Sequence, residues 1–139
     1  MGLDEAVTEA PPLVAGIGFR RGTEPAEIVA LLRRALAEAG TDAPRLAAIG
    51  TAEDRAAEPA LREAARAFAL APTPVSPEAL AAADARVLTR SPRIERLRGV
   101  GSLAEAAALA IAGPDSRLAL PRIASAGATC ALAVPSPSP

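Results

Sequence analysis

An apolar run at residues 13–19 leads, through a short loop that contains glycines, into a stretch with clear helical periodicity. Apolar residues in that stretch recur at intervals of three and four from Ile28 onward, which predicts an amphipathic helix from about Glu24 to Ala39. Gly40 follows, where it can adopt the left-handed conformation that ends many helices. A strand that turns directly into a helix is the opening unit of an α/β fold, so this feature constrains the architecture more than any other.

The same alternation continues along the chain. Apolar runs predict strands at 46–50 and 73–75, the second an edge strand because it contains a proline. Two further strand candidates, 117–123 and 128–134, are close enough for an antiparallel hairpin. The spacing of apolar residues predicts three more helices, at 58–70, 77–85 and 102–112. Residues 86–101 mix Arg, Ser and Pro and are predicted to form a long basic loop.

These elements predict one domain. The chain has 139 residues, of which 50% are hydrophobic, enough for a single core of ordinary size. We expect a three-layer α/β/α domain over residues 12–134, built on a mixed, mostly parallel sheet of about five strands. Residues 1–11 are predicted to form a flexible leader, and the Pro/Ser tail at 135–139 is predicted to be disordered.

Two serine-containing sequences mark the starts of predicted helices. Ser76 precedes Pro77, the pattern of an N-cap followed by proline at the first helical position. Ser102 and Glu105 have the spacing of a capping box, in which both side chains accept hydrogen bonds from free amides at the start of their own helix.

Composition excludes several kinds of catalytic and metal site. The chain contains no histidine, tyrosine, tryptophan or lysine and a single cysteine, which excludes a His-dependent triad, a Cys/His zinc site and an internal disulfide. We expect no bound metal and no cofactor. A net charge of −1 predicts neither nucleic acid nor an anionic membrane as a partner. No apolar window is long enough to span a bilayer, and a cytoplasmic location is expected.

The sequence GIGFRRGT, at residues 16–23, has glycines at three positions, Gly16, Gly18 and Gly22. It is not a dinucleotide-binding fingerprint, because Arg21 takes the place of the third glycine, and it is not a P-loop, because it has no lysine. Two interpretations remain. Either the turn directs Arg20, Arg21 and the helix-start amides near Thr23 at an anion, or it is a structural turn with two solvated arginines.

Two further stretches place polar side chains at predicted strand ends. After the second strand, residues 51–58 contain a charged cluster that could act in acid/base chemistry or ligand orientation, or could cap the next helix: Glu53, Asp54, Arg55 and Glu58. Ser125 and Thr129 could donate hydrogen bonds to a ligand, although both residue types are common in turns. Cys130 is predicted to be a small core residue rather than a nucleophile, because no histidine is present to activate it.

In this order and at these spacings, the polar stretches resemble the CobE / CbiG C-terminal family of cobalamin biosynthesis. The resemblance spans residues 13–134 and rests on GIGFRRGT at 16–23, TAEDRAAE at 51–58, GVGSLAEA at 99–106 and PRIASAGATCA at 121–131. Arg55 and Arg122 stand where the family pattern has lysine, and Glu53 stands where it has aspartate. In length the chain is similar to the stand-alone CobE form rather than to the longer CbiG hydrolase.

The resemblance implies an accessory protein of cobalamin (corrin ring) biosynthesis that binds a carboxylated precorrin or corrinoid intermediate or product. Such a tetrapyrrole-derived ring is flat and apolar with carboxylates around its rim, which arginine forks and helix-start amides around an apolar surface would suit. The residues expected to bind it are Gly16, Gly18, Arg20, Arg21, Gly22, Thr23, Thr51, Arg55, Glu58, Arg122, Ser125 and Thr129.

Three other functions stay open. The domain could hydrolyse or rearrange a precorrin or cobalt-precorrin intermediate with Glu53 or Glu58 as general base, so whether it is an enzyme is undecided. It could instead be a non-catalytic scaffold for other enzymes of the pathway. Nucleotide binding fits less well, because the third glycine of the fingerprint is missing.

Overall fold

Strands and helices alternate along residues 12–135, the part of the chain that the structure, a computed structural model, describes. The predicted leader at 1–11 and residues 136–139 of the predicted tail lie outside this range. The strands are β1 (Leu13–Phe19), β2 (Leu46–Ala52), β3 (Pro72–Val75), β4 (Arg117–Ala124) and β5 (Ala128–Val134). The α-helices are α1 (Pro25–Glu38), α2 (Pro59–Arg66), α3 (Pro77–Ala83), α4 (Pro92–Arg98) and α5 (Leu103–Ala112), and there are 3-10 turns at Ala43–Arg45 and Asp84–Arg86.

The five strands form one mixed sheet in the order β3-β2-β1-β5-β4. β1 pairs in parallel with β2, and β2 in parallel with β3, whose position at the edge suits its prolines. β5 pairs antiparallel with both β1 and β4, which confirms the predicted hairpin. Phe19 at the end of β1 pairs with Ala128 at the start of β5. The loops after β1 and β2 and the turn before β5 therefore lie at the same end of the strands, the carboxyl end of β1 and β2.

Helices cover both faces of the sheet, so the predicted three-layer architecture is confirmed. On one face, the apolar stripes of α1 and α2 pack on alternate residues of β1 and β5, with Ile17, Ile28 and Leu61 fully buried. On the other face, α3 and α5 pack on the sheet around Leu80 and Leu109. Each face has its own apolar cluster, and hydrophobic burial on both faces holds the sheet between its helices.

The close approach of α5 to β1 explains one glycine of the first loop. A side-chain carbon on Gly16 would overlap the backbone carbonyl oxygen of Ala104, at the start of α5. The facing part of α5 consists of buried alanines, which let a helix and a strand lie close together. Gly16 therefore serves helix packing rather than the approach of a ligand.

One prediction from composition is wrong: the segment 86–101 is not a long loop. It contains the helix α4, which begins after the N-cap Ser91 and ends at Gly99, a glycine in the left-handed conformation with φ 76°. The Ser91-Pro92 start is the same pattern that correctly predicts α3 from Ser76-Pro77, so the signal was present. α2 is shorter than predicted because its last turn gives way to a turn through Ala69, whose φ is 61°.

Within residues 12–135, none of the helices has both the length and the apolar character that crossing a membrane requires.

Candidate functional site

A cleft of about 570 Å³ opens at the end of the strands where the three polar stretches meet. The end of β1 and the loop after it contribute Gly18 to Arg21, the loop after β2 contributes Arg55, and the hairpin contributes residues from both β4 and β5. The helix α4 forms the remaining wall, with Ile94 and Leu97. Its volume lies in the range of roughly 300–1,000 Å³ that is typical of pockets for organic ligands.

The lining of this cleft contains no acidic residue. It contains six arginines: Arg20, Arg21, Arg55, Arg93, Arg98 and Arg122. Two of them have ion-pair partners outside the lining, since Arg55 pairs with Glu58 and Arg98 with Asp54. The other four form no ion pair with any residue in the range 12–135. The cleft is therefore strongly positive in a chain of net charge −1.

Arg55 has an unusual environment at one side of the cleft. Its guanidinium carbon lies 4.3 Å from the centre of the Phe19 ring, a cation–π stack. Its Nε lies 3.4 Å from Glu58 Oε2, but Nε and Nη2 are both buried and have no hydrogen-bond partner among the described residues. Buried N–H groups normally have an acceptor, so these two donors of Arg55 are left unsatisfied by the described part of the chain.

The turn between β4 and β5 is fixed by contacts from the other side of the β1 loop. Glu27 accepts hydrogen bonds from Ser125 Oγ at 2.5 Å and from the Gly127 amide at 2.6 Å. These two donors hold the pKa of Glu27 below its ordinary value. The Arg20 amide and the Thr23 hydroxyl both donate to the Gly127 carbonyl, at 2.8 and 3.1 Å. The turn is thus held rigidly against the loop that presents Arg20 and Arg21.

The Glu105 carboxylate connects three segments behind the cleft. Oε1 accepts from the amides of Leu88 and Thr89 at 2.7 and 2.9 Å, and Oε2 accepts from the Thr89 hydroxyl at 2.7 Å and the Arg122 amide at 2.9 Å. The side chain is fully buried. Burial raises the pKa of Glu105, but the four hydrogen bonds outweigh it and the net pKa is lowered. The carboxylate therefore positions Arg122 and the segment that leads into α4.

The capping-box prediction is half correct. Ser102 Oγ accepts a hydrogen bond from the Glu105 amide at 3.2 Å, as expected. The Glu105 side chain does not turn back to its own helix start, because its carboxylate is occupied by donors from the 88–89 segment and from β4. Residues far away in sequence provide these donors, so the local pattern alone does not reveal them.

The structure brings seven of the predicted ligand-binding residues to the cleft: Gly18, Arg20, Arg21, Arg55, Arg122, Ser125 and Thr129. Five others lie elsewhere: Gly16, Gly22, Thr23, Thr51 and Glu58. Thr51 is fully buried and donates to the Ile17 carbonyl at 2.7 Å, so it ties β2 to β1. Gly22 has a φ of 86°, which only the turn requires.

The predicted helix-start amides do not reach the cleft either. α1 begins with Pro25, which has no N–H, after the N-cap Glu24, whose exposed carboxylate would repel an anion. The charged residues after β2 do not form one joint site. Glu53 is exposed, Asp54 pairs with Arg98, and Glu58 pairs with Arg55. Neither Glu53 nor Glu58 lines the cleft.

Four cleft residues of α4 were not predicted: Arg93, Ile94, Leu97 and Arg98. They were missed because the segment was interpreted as loop, although Ser91-Pro92 indicates a helix start. Cys130, by contrast, has its predicted place. It is fully buried between β1 and β4, and burial raises its pKa to about 12, so its thiol is not a nucleophile at neutral pH.

Comparisons with known proteins give the family. The model of the family described as "Cobalamin synthesis G C-terminus" matches residues 13–133. The chain is 38% identical over 123 residues to Protein CobE from Sinorhizobium sp., a match that covers 88% of this chain and 80% of that relative.

Two solved structures agree with this result. The crystal structure of CobE, described as a protein from the cobalamin (vitamin B12) biosynthetic pathway, superposes with a TM-score of 0.85 at 32% identity and covers 96% of this chain and 99% of that one. Cobalamin biosynthesis protein chiG from Agrobacterium tumefaciens str. C58 superposes with a TM-score of 0.72 at 35% identity, over 90% and 99% of the two chains. The chain therefore belongs to the cobalamin synthesis G C-terminus family and is a cobalamin biosynthesis protein of the CobE/CbiG type.

Proposed function

We propose that the chain binds a carboxylated corrinoid intermediate or product of cobalamin biosynthesis in the arginine-lined cleft. The observation that carries the proposal is the set of six arginines, converging from the loops after β1 and β2, from β4 and from α4, with no acidic residue in the lining. Guanidinium groups bind carboxylates through paired, charge-assisted hydrogen bonds. A ring with carboxylates on several sides matches arginines that surround a cleft better than a single-headed anion does.

The apolar part of the lining supports the same ligand class. Phe19, Ile94 and Leu97 contribute apolar surface between the arginines, and 67% of Leu97 is exposed. A simple inorganic anion would leave that surface in contact with water. A flat hydrophobic ring would cover it while its rim carboxylates reach the guanidinium groups.

Arg55 is the most specific of the proposed contacts. Its Nε and Nη2 are buried without a hydrogen-bond partner among the described residues, and its stack on Phe19 fixes the plane of the guanidinium. A ligand carboxylate on this side of the cleft would satisfy these donors once the guanidinium shifts toward it, because neither nitrogen is accessible in the empty protein. The arrangement favours binding rather than acid/base chemistry, because no carboxylate lines the cleft to act as a base.

A titration of the purified protein with cobyrinic acid, a corrin whose acetate and propionate side chains are free carboxylates, tests the proposal through the visible spectrum of the ligand. Saturable binding to the wild-type protein is expected. The double variant Arg20→Ala/Arg21→Ala is expected to bind about tenfold or more weakly, because it loses two charge-assisted contacts.

The matched control is Arg62→Ala/Arg66→Ala, which removes two exposed arginines of α2 outside the cleft and changes the net charge equally. This control is expected to bind within about twofold of the wild type, since long-range attraction contributes little at physiological salt. Absence of saturable binding, or equal weakening in both double variants, would refute the proposal. The same titration, followed by product analysis, would reveal hydrolysis of the ligand if it occurred.

A further inference from the structure

Residues 91–101, which contain α4, leave the body of the domain and return to it at nearly the same point. The two ends of this segment are joined by a hydrogen bond from the Ser91 amide to the Gly101 carbonyl, at 2.8 Å. Asp84 fixes this neck by accepting from the Gly101 amide at 2.8 Å and from Arg90 Nη2 at 3.1 Å. The neck is therefore anchored to the body of the domain through Asp84.

Beyond the neck, the helix α4 itself is held loosely. None of its residues is buried, and Ile94 alone packs against an apolar core cluster. Its last turn is held by two ion pairs between described residues. Arg90 Nη1 lies 2.6 Å from Glu95 Oε2, with both side chains close to half exposed, and Arg98 Nη1 lies 2.7 Å from Asp54 Oδ1. Asp54 is well exposed, so this pair contributes little to stability. Because α4 contributes no buried residue, it can shift relative to its anchored neck without unfolding the core.

The last turn of α4 presents an apolar and a charged side chain to the cleft. Leu97 lines the cleft and is 67% exposed, so a ligand in the cleft would cover apolar surface that now faces water. Arg98 also lines the cleft, and its guanidinium is already paired with the Asp54 carboxylate. Hydrogen bonding from Arg98 lowers the pKa of Asp54, so the partner that Arg98 holds is ionised at neutral pH.

We infer that the last turn of α4 is a ligand-gripping wall of the cleft and sets the specificity for a flat ring with carboxylates on its rim. Leu97 covers the apolar face of the ring, and Arg98 exchanges the Asp54 carboxylate for a carboxylate of the ligand. Asp54 is then a placeholder that keeps Arg98 in position while the cleft is empty. The inference rests on the proposed function, since it names the part of the protein that closes on the proposed ligand.

The chain offers a matched control for Leu97. Leu88 is exposed to nearly the same extent, 69% against 67%, but it does not line the cleft. With cobyrinic acid as the probe, Leu97→Ser is expected to weaken binding about tenfold, and Leu88→Ser is expected to leave it unchanged within about twofold. Equal effects of the two substitutions would overturn the inference while leaving the proposed function intact.

The exchange of Arg98 predicts an opposite effect for its present partner. Asp54→Asn removes the competitor for Arg98 and is expected to tighten binding by up to about fivefold, the range of an exposed ion pair. Weakening by Asp54→Asn would contradict the exchange, because it would mean that Arg98 must stay paired with Asp54 for binding.

A spin label on Arg96→Cys reports the movement directly. Arg96 is an exposed residue of α4 outside the lining, and the buried Cys130 thiol does not compete for the label. Cobyrinic acid is expected to immobilise this label and to leave a label on Glu63→Cys, an exposed residue of α2, unaffected. If the wild type binds the probe but the label on α4 stays equally mobile, the inference is wrong and the proposed function stands. If the wild type does not bind the probe, both are wrong.

Discussion

Glu105 and Arg55 are two charged side chains with buried polar atoms, and they differ in how many hydrogen bonds the protein provides to those atoms. The Glu105 carboxylate is fully buried and accepts four hydrogen bonds, from two amides of the 88–89 segment, a threonine hydroxyl and the Arg122 amide. The Arg55 guanidinium is stacked on Phe19, and two of its nitrogens are buried without any hydrogen bond to residues 12–135. The protein supplies a complete set of hydrogen bonds to the first charge, whereas the second has an ion pair with Glu58 but lacks hydrogen bonds at Nε and Nη2.

This difference separates structural charge from charge that is available to a ligand. A buried charge costs free energy unless hydrogen bonds compensate it, so the complete set around Glu105 is what stabilisation of the fold requires. The incomplete set around Arg55 is unfavourable in the empty protein and becomes favourable when an anion supplies the missing acceptors. Glu105 therefore organises the cleft, while Arg55 lines it and belongs to the binding surface that we propose.

The largest expected effect is the loss of stability in Glu105→Gln. The amide has nearly the same shape, but its NH₂ group faces donors and leaves some of them unsatisfied in a dry interior. The free energy of unfolding is expected to fall by about 2–4 kcal/mol. Urea unfolding followed by circular dichroism measures it, since the chain has no tryptophan or tyrosine. Glu63→Gln, at an exposed position of α2, is the control; an equally small effect at both positions would contradict the structural role of Glu105.

The next expected effect is on the pH dependence of stability. The pKa of Glu105 lies below its ordinary value of 4.5, so the folded protein binds this proton less readily than the unfolded chain does. The stabilisation is present above pH 4.5 and is lost as the pH falls through the pKa of the folded state. Below pH 4.5, wild-type stability should fall more steeply than that of Glu105→Gln, by up to about 1.4 kcal/mol per pH unit. Parallel acid limbs in the two proteins would show that Glu105 is not the responsible group.

The smallest expected effect on stability is that of Arg55→Met. Methionine keeps much of the apolar stem that lies on Phe19 but removes all N–H donors, including the two that have no acceptor among the described residues. Stability is expected to change by less than about 1 kcal/mol, because the loss of the stacking and of the ion pair with the partly exposed Glu58 is offset by the removal of unsatisfied buried groups. A loss as large as that in Glu105→Gln, measured by the same urea unfolding, would assign Arg55 a structural role.

Much of the fold follows from local patterns in the sequence. The first strand and its helix were predicted within one residue, because the apolar periodicity of 24–39 and the proline near its start are local signals. The meeting of the three polar stretches also follows from the sequence, since loops after neighbouring strands share an edge. The α4 wall does not follow from composition, because the basic residues of 86–101 favour a loop. The Ser91-Pro92 pattern in the same segment does indicate a helix start.

The remaining errors come from contacts that only the tertiary fold creates. Gly16 lies in a glycine-rich loop like those that bind phosphates, yet it is needed because α5 packs on it from 88 residues further along the chain at Ala104. Thr51 looks available at a strand end but donates to the Ile17 carbonyl of the neighbouring strand. The Glu105 partners are likewise distant in sequence, so the local capping pattern assigned its carboxylate to the wrong donors. Strand-end position predicts where a site lies, whereas burial decides which of its polar groups remain available.

The contribution of the two unsatisfied Arg55 donors to the proposed binding of a ligand carboxylate can be measured in one thermodynamic cycle. The affinities of wild type and Arg55→Met are measured for cobyrinic acid and for its methyl ester, which has the same ring without charged carboxylates. Arg55→Met is expected to weaken binding of the acid about tenfold and to leave binding of the ester within about twofold. An equal change for acid and ester, or no change for either, would contradict this contribution.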